Sequence, residues 1–181
     1  MTAETGAQKC QQLALRQHGV IARSQALAHG MSSSAVDRRV HSGEWLRLLP
    51  GTYALRGSPA SFMRRATAAY LWAGEGALLS HDSSGVLFNL DGVSQQQIIV
   101  SSPRRLSSPR VVVKRRATEG LQSKNIGLVR VTSIEQTLLD LGETLGGERL
   151  ELAVDSALRR GLTRFDRLSR HLETAFSKSS C

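Results

Sequence analysis

The pair Pro50-Gly51 lies between two short strand-like segments, and it restricts the possible folds more than any other feature of the chain. Residues 44–48 and 52–55, on either side of the pair, contain tryptophan, tyrosine, threonine and leucine. Strand-forming residues around a Pro-Gly turn are typical of a β-hairpin. We therefore predict a two-stranded hairpin that ends near residue 56.

Three short helices are predicted before the hairpin, over residues 4–18, 23–29 and 32–43. Each is followed by or ends on a glycine, the residue that most often follows the last turn of a helix. Three short helices and then a hairpin is the order of a winged helix-turn-helix domain, which we assign to residues 1–57. A small helical domain with an incidental hairpin is the alternative.

The third predicted helix has an apolar side and a polar side. Val36 and Val40 are four residues apart and form the inner stripe. Small polar residues on the other side allow close approach to DNA, and an arginine can donate two hydrogen bonds to guanine or phosphate. The outward positions are Ser33, Ser34, Asp37, Arg38 and His41. The predicted DNA contacts are Ser33, Ser34, Arg38, Arg39 and His41, with Arg47 from the hairpin.

The net charge of +9 favours an anionic partner, with nucleic acid first, a membrane surface second and an acidic substrate third. The excess is uneven along the chain. Residues 1–56 carry seven basic and three acidic side chains, residues 57–132 ten and four, and residues 133–181 seven and eight. The first two thirds therefore hold the positive charge, although a basic excess also serves solubility alone.

A second domain is predicted after Ser58-Pro59, over residues 58–176. It alternates helical and strand-like segments, so the fold class of the whole chain is α+β, with a winged helix-turn-helix followed by a small mixed α/β domain. Thr132 and Glu135 have the spacing of a capping box that begins a helix. Residues 177–181 are predicted to be a disordered tail.

A basic, Pro/Ser-rich loop is predicted between two strands of the second domain, over residues 101–110. Six cations occur within thirteen residues, and like charges at such separations repel unless an anion is near. One interpretation is a second DNA-binding surface; the other is a hydrated loop or a surface for a protein partner. The predicted DNA contacts here are Arg104, Arg105, Arg110, Lys114 and Arg115.

Several protein classes do not fit the sequence. No apolar run approaches the roughly 20 residues of a membrane span, and the first residues do not resemble a signal peptide. Cys10 and Cys181 suggest no disulfide framework, and no cysteine or histidine spacing suggests a zinc site. We expect a cytoplasmic, soluble protein with no membrane contact.

No motif indicates catalysis, so we expect no enzyme, no catalytic residue, no metal and no cofactor. A nuclease could be assembled from Asp82, Asp91, Glu119 and Lys124, but their spacing does not favour a magnesium site. The neighbours Ser80 and His81 are interpreted as the start of a helix, where their side chains satisfy backbone groups.

With these segments laid out, the chain resembles a bacterial family, the AbiEi-type antitoxins of abortive-infection, type IV toxin–antitoxin systems. Residues 19–56 resemble the winged-helix domain of that family, and residues 62–168 resemble its second domain. The stretches that carry the second resemblance are Leu79-Ser80-His81, Val111 to Arg115, Val131-Thr132-Ser133, Thr137 to Asp140, and Ala157 to Gly161.

The resemblance implies that the first domain binds operator DNA and represses its own operon. It implies that the second domain neutralises a nucleotidyltransferase-like toxin or assists DNA binding. Many relatives continue into a nuclease domain of the very-short-patch-repair type, and the sequence ends at Cys181 with no room for one. Two alternatives are a module that neutralises the toxin without binding DNA and a nuclease-less remnant of an endonuclease fusion. The oligomeric state is left open.

Overall fold

The structure, a computed structural model, describes residues 5–179, which divide into two compact units with the boundary between Glu75 and Gly76. Each unit contains one β-sheet with helices packed against it. The combination confirms the predicted α+β class. None of the helices described between residues 5 and 179 is long and apolar enough to cross a membrane.

The first unit has the element order of a winged helix-turn-helix domain, followed by a fourth helix. Its three strands form an antiparallel sheet in the order β1-β3-β2, so that the hairpin strand β3 lies in the middle. The elements are α1 (Gly6–Arg16), β1 (Val20–Ala22), α2 (Arg23–Ala28), α3 (Ser33–His41), β2 (Trp45–Leu49), β3 (Thr52–Leu55) and α4 (Phe62–Ala73).

Local sequence signals account for the ends of α3 and for the hairpin. The hydroxyl of Ser32 accepts a hydrogen bond from the backbone N–H of Ala35, which satisfies one free donor of the first turn of α3. Gly51 adopts a φ of +68°, which glycine reaches without steric penalty, so it allows the tight turn between β2 and β3. Val36 is buried in the core of the unit with Trp45 and Tyr53.

The boundary of the first unit differs from the predicted junction at residue 57. Helix α4 contacts all three strands of the first sheet and buries the alanine side of its surface, including Ala66, Ala69 and Ala73. Small side chains bring this helix close to the sheet, and its removal would expose apolar surface. Residues 58–75 therefore belong to the first unit.

The second unit is a five-stranded mixed sheet with four helices in the described residues. The strand order is β6-β5-β4-β8-β7, in which β5 and β6 run parallel, as do β4 and β8. The elements are β4 (Leu78–Leu79), α5 (His81–Leu87), β5 (Ile99–Ser102), β6 (Val112–Arg115), β7 (Ser123–Ile126), β8 (Val129–Thr132), α6 (Ile134–Leu141), α7 (Gly147–Arg159) and α8 (Phe165–Ser179).

Two local predictions in this unit need correction. The N-cap of α6 is Ser133, whose hydroxyl accepts from the backbone N–H of Gln136, whereas the hydroxyl of Thr132 is buried and hydrogen-bonds Thr137. The predicted disordered tail overlaps α8, which continues to Ser179. The last two residues of that predicted tail lie outside the described residues.

We predict that Gly19→Ala destabilises the first unit more than Gly30→Ala. Both glycines have positive φ values, +79° and +87°, so each alanine meets the same backbone strain of about 1–2 kcal/mol. A Cβ at Gly19 would lie 2.3 Å from the Cβ of Ser58, whereas a Cβ at Gly30 meets no atom within 4 Å. Both tryptophans, Trp45 and Trp72, lie in the first unit, so urea unfolding followed by tryptophan fluorescence measures its stability. Equal losses would show that Ser58 moves aside without energetic consequence.

Candidate nucleic-acid interface

The outer face of α3 gathers four of the predicted contact residues. Ser33, Ser34, Arg38 and His41 are exposed, while Val36 on the opposite side is fully buried. The hydroxyl of Ser34 lies 3.1 Å from that of Ser32, at the beginning of the helix. This face is short and polar at its N-terminal end and cationic towards its C-terminal end, as a helix that enters the major groove requires.

Arg39 does not lie on this face, although it was predicted as a DNA contact. Its Nη1 is 2.7 Å from Oε2 of Glu44, and its side chain is 30% exposed. The other carboxylate oxygen of Glu44 accepts a hydrogen bond from the hydroxyl of Ser42. Arg39 therefore connects the end of α3 to Glu44, the residue before β2. Its positive charge is compensated by the Glu44 carboxylate.

Arg47 is exposed on β2 and lies opposite Tyr53 in the register of the hairpin. Hydrogen bonds from Arg23 are the main cause of a lowered pKa at Asp37 on α3, and the positive charge of Arg47 lowers it further. The rings of Trp45 and Tyr53 are buried, with their centroids 5.8 Å apart, so they hold the hairpin in the core. The hairpin thus presents a charge next to the outer face of α3.

The sequence reasoning missed Arg23, the first residue of α2. Its guanidinium donates to both carboxylate oxygens of Asp37, at 2.6 and 3.0 Å, and also to the hydroxyls of Ser33 and Tyr53. The hydrogen bonds from Arg23 hold the pKa of Asp37 below its usual range. The available signal was the one acidic residue on an otherwise neutral and basic helix face.

The basic residues of the second unit are divided between the two ends of the β5–β6 pair. Because these strands run parallel, with Ser102 opposite Arg115, the residues that follow β5 and end β6 lie at the same end. Arg104, Arg105 and Arg115 belong to that end, and all three are exposed. Arg110 precedes β6 and lies at the opposite end of the pair.

Lys114 and Arg116, from this group of six cations, have carboxylate partners inside the unit. Lys114 Nζ lies 3.2 Å from Oε2 of Glu143. Arg116 binds Asp140 through two hydrogen bonds of 2.7 and 2.6 Å, and the Asp140 side chain is only 1% exposed. The anion predicted for this cluster is therefore internal for Lys114 and Arg116. Asp140 lies in α6, and Glu143 follows that helix.

A chain of hydrogen bonds connects Arg116 to a buried histidine. Arg116 Nε donates to the hydroxyl of Ser101 at 2.9 Å, and Ser101 donates to the hydroxyl of Ser80 at 2.9 Å. The Ser80 hydroxyl is then left to donate to Nδ1 of His81 at 3.0 Å, so that Nε2–H of His81 faces Glu143 at 3.3 Å. These directions assign His81 as a neutral imidazole with its proton on Nε2.

Burial favours the same neutral form. The His81 side chain is 1% exposed, and desolvation lowers its pKa despite the opposing charges of Asp140 and Glu143. The charges of Arg116 and Lys114 lower the pKa further. Helix α5 begins at His81 with Ser80 as its N-cap, as predicted, but Ser80 makes no side-chain cap, so the interpretation that these side chains satisfy backbone groups is wrong. They belong to a buried polar network instead.

Two of the four residues considered for a nuclease have other contacts. Asp91 pairs with Arg159 at 2.7 Å, and Nζ of Lys124 lies over the ring of Phe88. Among residues 5–179 as described, no group of three or more histidine, cysteine, aspartate or glutamate side chains is placed to hold a metal ion.

The sequence of the first unit matches a known protein family. Residues 8–56 match the family model for the transcriptional regulator, AbiEi antitoxin. The match begins within α1 and ends just past β3, so it spans the three helices and the hairpin and confirms the predicted resemblance there. The resemblance of residues 62–168 stays a prediction.

The crystal structure of the RV2827C protein from Mycobacterium tuberculosis is similar at 16% sequence identity and a TM-score of 0.49, over 85% of this chain and 72% of that chain. No curated protein sequence is significantly similar to this chain. The family match is therefore the finding that bears on function.

We predict that the second unit loses stability as the pH falls below 6.5. The folded state lowers the pKa of His81 from its ordinary value of 6.5, so the unfolded chain takes up a proton first and unfolding is favoured as the pH falls through that value. Glu143, whose pKa is also lowered because hydrogen bonds from His81 and Lys114 outweigh its burial, adds a loss only below about 4.5.

The control is His81→Asn, because asparagine tolerates the φ of +52° at this position and does not titrate. Thermal unfolding by far-UV circular dichroism should show a smaller loss between pH 7.5 and 5 in this variant than in the parent. Tryptophan fluorescence reports the unfolding of the first unit separately, because both tryptophans lie in that unit. The same pH dependence in both proteins would contradict the assignment of His81 as neutral.

Proposed function

We propose that this chain is a DNA-binding transcriptional regulator of the AbiEi antitoxin type, which represses its own operon. The observation that carries the proposal is the exposed outer face of α3 in a winged helix-turn-helix unit whose sequence matches that regulator family. Ser34, Arg38 and His41 are available there to contact bases. A regulator of this kind acts on double-stranded operator DNA in the cytoplasm, without catalysis or a cofactor.

The two parts of the winged unit have different roles in this proposal. Helix α3 reads base edges in the major groove, where an arginine distinguishes guanine by two hydrogen bonds. The hairpin carries Arg47 on an exposed strand position, from which a cation contacts phosphate and fixes the register of the protein on the duplex. Arg39 pairs with Glu44 at the end of α3, and we therefore assign it a role in the fold and propose no contact between Arg39 and DNA.

The second unit, in the same proposal, neutralises a nucleotidyltransferase-like toxin and adds phosphate contacts through its basic residues. A second candidate is that this unit binds only a protein partner. The ion pairs of Lys114 and Arg116 favour that candidate, because they leave fewer unmatched cations for DNA. A nucleotidyltransferase gene next to the gene for this chain would support both candidates over a nuclease remnant.

We predict that Arg38→Ala and Arg47→Ala weaken operator binding in different ways. Loss of a base contact at Arg38 should reduce affinity for the preferred site by about 1–3 kcal/mol and relax the preference at one base pair. Loss of a phosphate contact at Arg47 should weaken all duplexes alike and reduce the salt slope by about one. Fluorescence anisotropy with duplexes from the region upstream of the gene measures both effects.

Arg39→Ala is the matched control, since it removes the same charge from the neighbouring position of α3. Its partner Glu44 is released, but the outer face of α3 keeps all its side chains. We expect unchanged base preference for this variant. Identical profiles for the Arg38 and Arg47 variants, or an equal effect at Arg39, would refute the proposed roles.

We predict that Arg105→Ser combined with Arg115→Ser reduces the salt slope of operator binding by about 2. Each phosphate contact contributes about 0.9 to the slope of log affinity against log salt, and the two arginines lie at the same end of the β5–β6 pair. The charge-matched control is Arg130→Ser with Arg164→Ser, which removes two exposed cations elsewhere in the unit. An unchanged slope in the first variant would favour the protein-partner candidate.

A further inference from the structure

The ion pair between Arg23 and Asp37 occupies the surface that the proposed function assigns to DNA. Asp37 is the one acidic residue of α3, and its side chain is 62% exposed. It lies one helical turn before His41 and next to Arg38, so it shares the outer face with them. A negative charge in this place repels the phosphates that the neighbouring cations attract.

Arg23 is fixed by more contacts than an exposed ion pair needs. Its guanidinium contacts the first turn of α3 at Ser33, the second turn at Asp37 and the hydroxyl of Tyr53 on β3. Both carboxylate oxygens of Asp37 are engaged, which is the planar, two-point geometry that arginine and carboxylate prefer. Arg23 is the first residue of α2, the helix that crosses the DNA backbone in this class of domain. Its charge is compensated by an internal anion, the carboxylate of Asp37.

Stability is a weak explanation for this arrangement. Exposed ion pairs contribute little to folding because water and salt screen them. The buried residues Val36 and Tyr53 already hold α3 and β3 in the core of the unit. An effect on DNA binding therefore explains the carboxylate of Asp37, at the middle of the outer face, better than an effect on stability does.

We propose that Asp37 is a specificity-determining residue of the DNA interface, which holds Arg23 away from phosphate and so weakens binding to non-specific duplexes. The inference rests on the proposed function, because it concerns the same surface. A carboxylate bound to one arginine keeps lone pairs that can accept a further hydrogen bond. In the major groove, the donor that suits it is the N4 amino group of cytosine. On a duplex without that donor, the carboxylate is only repulsive.

The test compares Asp37→Asn with the parent chain on two duplexes, the region upstream of the gene and a scrambled duplex of equal length and composition. The variant loses the carboxylate charge and releases Arg23 to contact phosphate. One additional phosphate contact steepens the salt slope by about 0.9, which at about 0.1 M salt is a five- to tenfold gain in affinity. We expect this gain on the scrambled duplex, and a smaller preference for the upstream duplex.

Glu44→Gln is the matched control. It also removes one acidic charge from the first unit and also releases an arginine, but Glu44 and Arg39 lie off the outer face of α3. We expect its preference between the two duplexes to equal that of the parent. Equal gains in affinity for the scrambled duplex in Asp37→Asn and Glu44→Gln would show that the effect comes from net charge alone. That result would overturn the proposal.

Arg23→Met separates a role in specificity from a role in holding α3. If the pair only holds the helix, Asp37→Asn and Arg23→Met weaken binding to both duplexes in the same direction, which overturns the proposal. We expect opposite signs, because Arg23→Met leaves an unmatched carboxylate on the face and weakens binding to both duplexes. Asp37→Ser repeats the measurement if tryptophan fluorescence shows that Asp37→Asn is unfolded. Failure of the parent chain to bind either duplex refutes the proposed function itself.

Discussion

The pairing of β3 with β1 is the interaction on which the first unit depends. Strand β1 has only three residues, yet it joins α1 to α2, and its partner β3 is the second strand of the hairpin. Ile21 and Tyr53 are paired in register and both lie in the core. The hairpin is therefore attached to the helices through the middle of the sheet, and the position of Arg47 relative to α3 follows from that pairing.

Internal carboxylates decide which cations of this basic chain can meet an anionic partner. Arg23, Arg39, Lys114 and Arg116 all have acidic partners within 3.2 Å, whereas Arg38, Arg47 and Arg115 are exposed. The count of 24 basic side chains therefore overstates the number of cations that a duplex can use. In the proposed interface the same few charges serve packing and recognition, so a single aspartate on α3 would influence how many of them face DNA.

The features that the sequence predicts well are those set by near neighbours along the chain. Ser32, Gly43 and Pro50-Gly51 determine the limits of α3 and the hairpin, and Val36 identifies the buried side. The hydrogen bonds of Arg23 could not be predicted in this way, because its partners Ser33, Asp37 and Tyr53 are 10, 14 and 30 residues away. The two-residue strand β4 and the exposed edge strand β7 were missed for a related reason, since their pairing, and not their composition, makes them strands.

The same distinction explains why the outer face of α3 was found and the correct partner of Arg39 was not. Helical periodicity assigns Arg38 and Arg39 to different sides of the helix only when the buried side is known, and both valines are needed to define it. Arg39 lies on the flank, where Glu44, five residues later, becomes its partner once the chain has turned into β2. Of the two neighbouring arginines of α3, Arg38 is therefore exposed on the outer face, whereas Arg39 forms an ion pair within the unit. Under the proposed function, this division leaves base recognition to Ser34, Arg38 and His41, and the selectivity of such a face depends on hydrogen-bond geometry more than on charge.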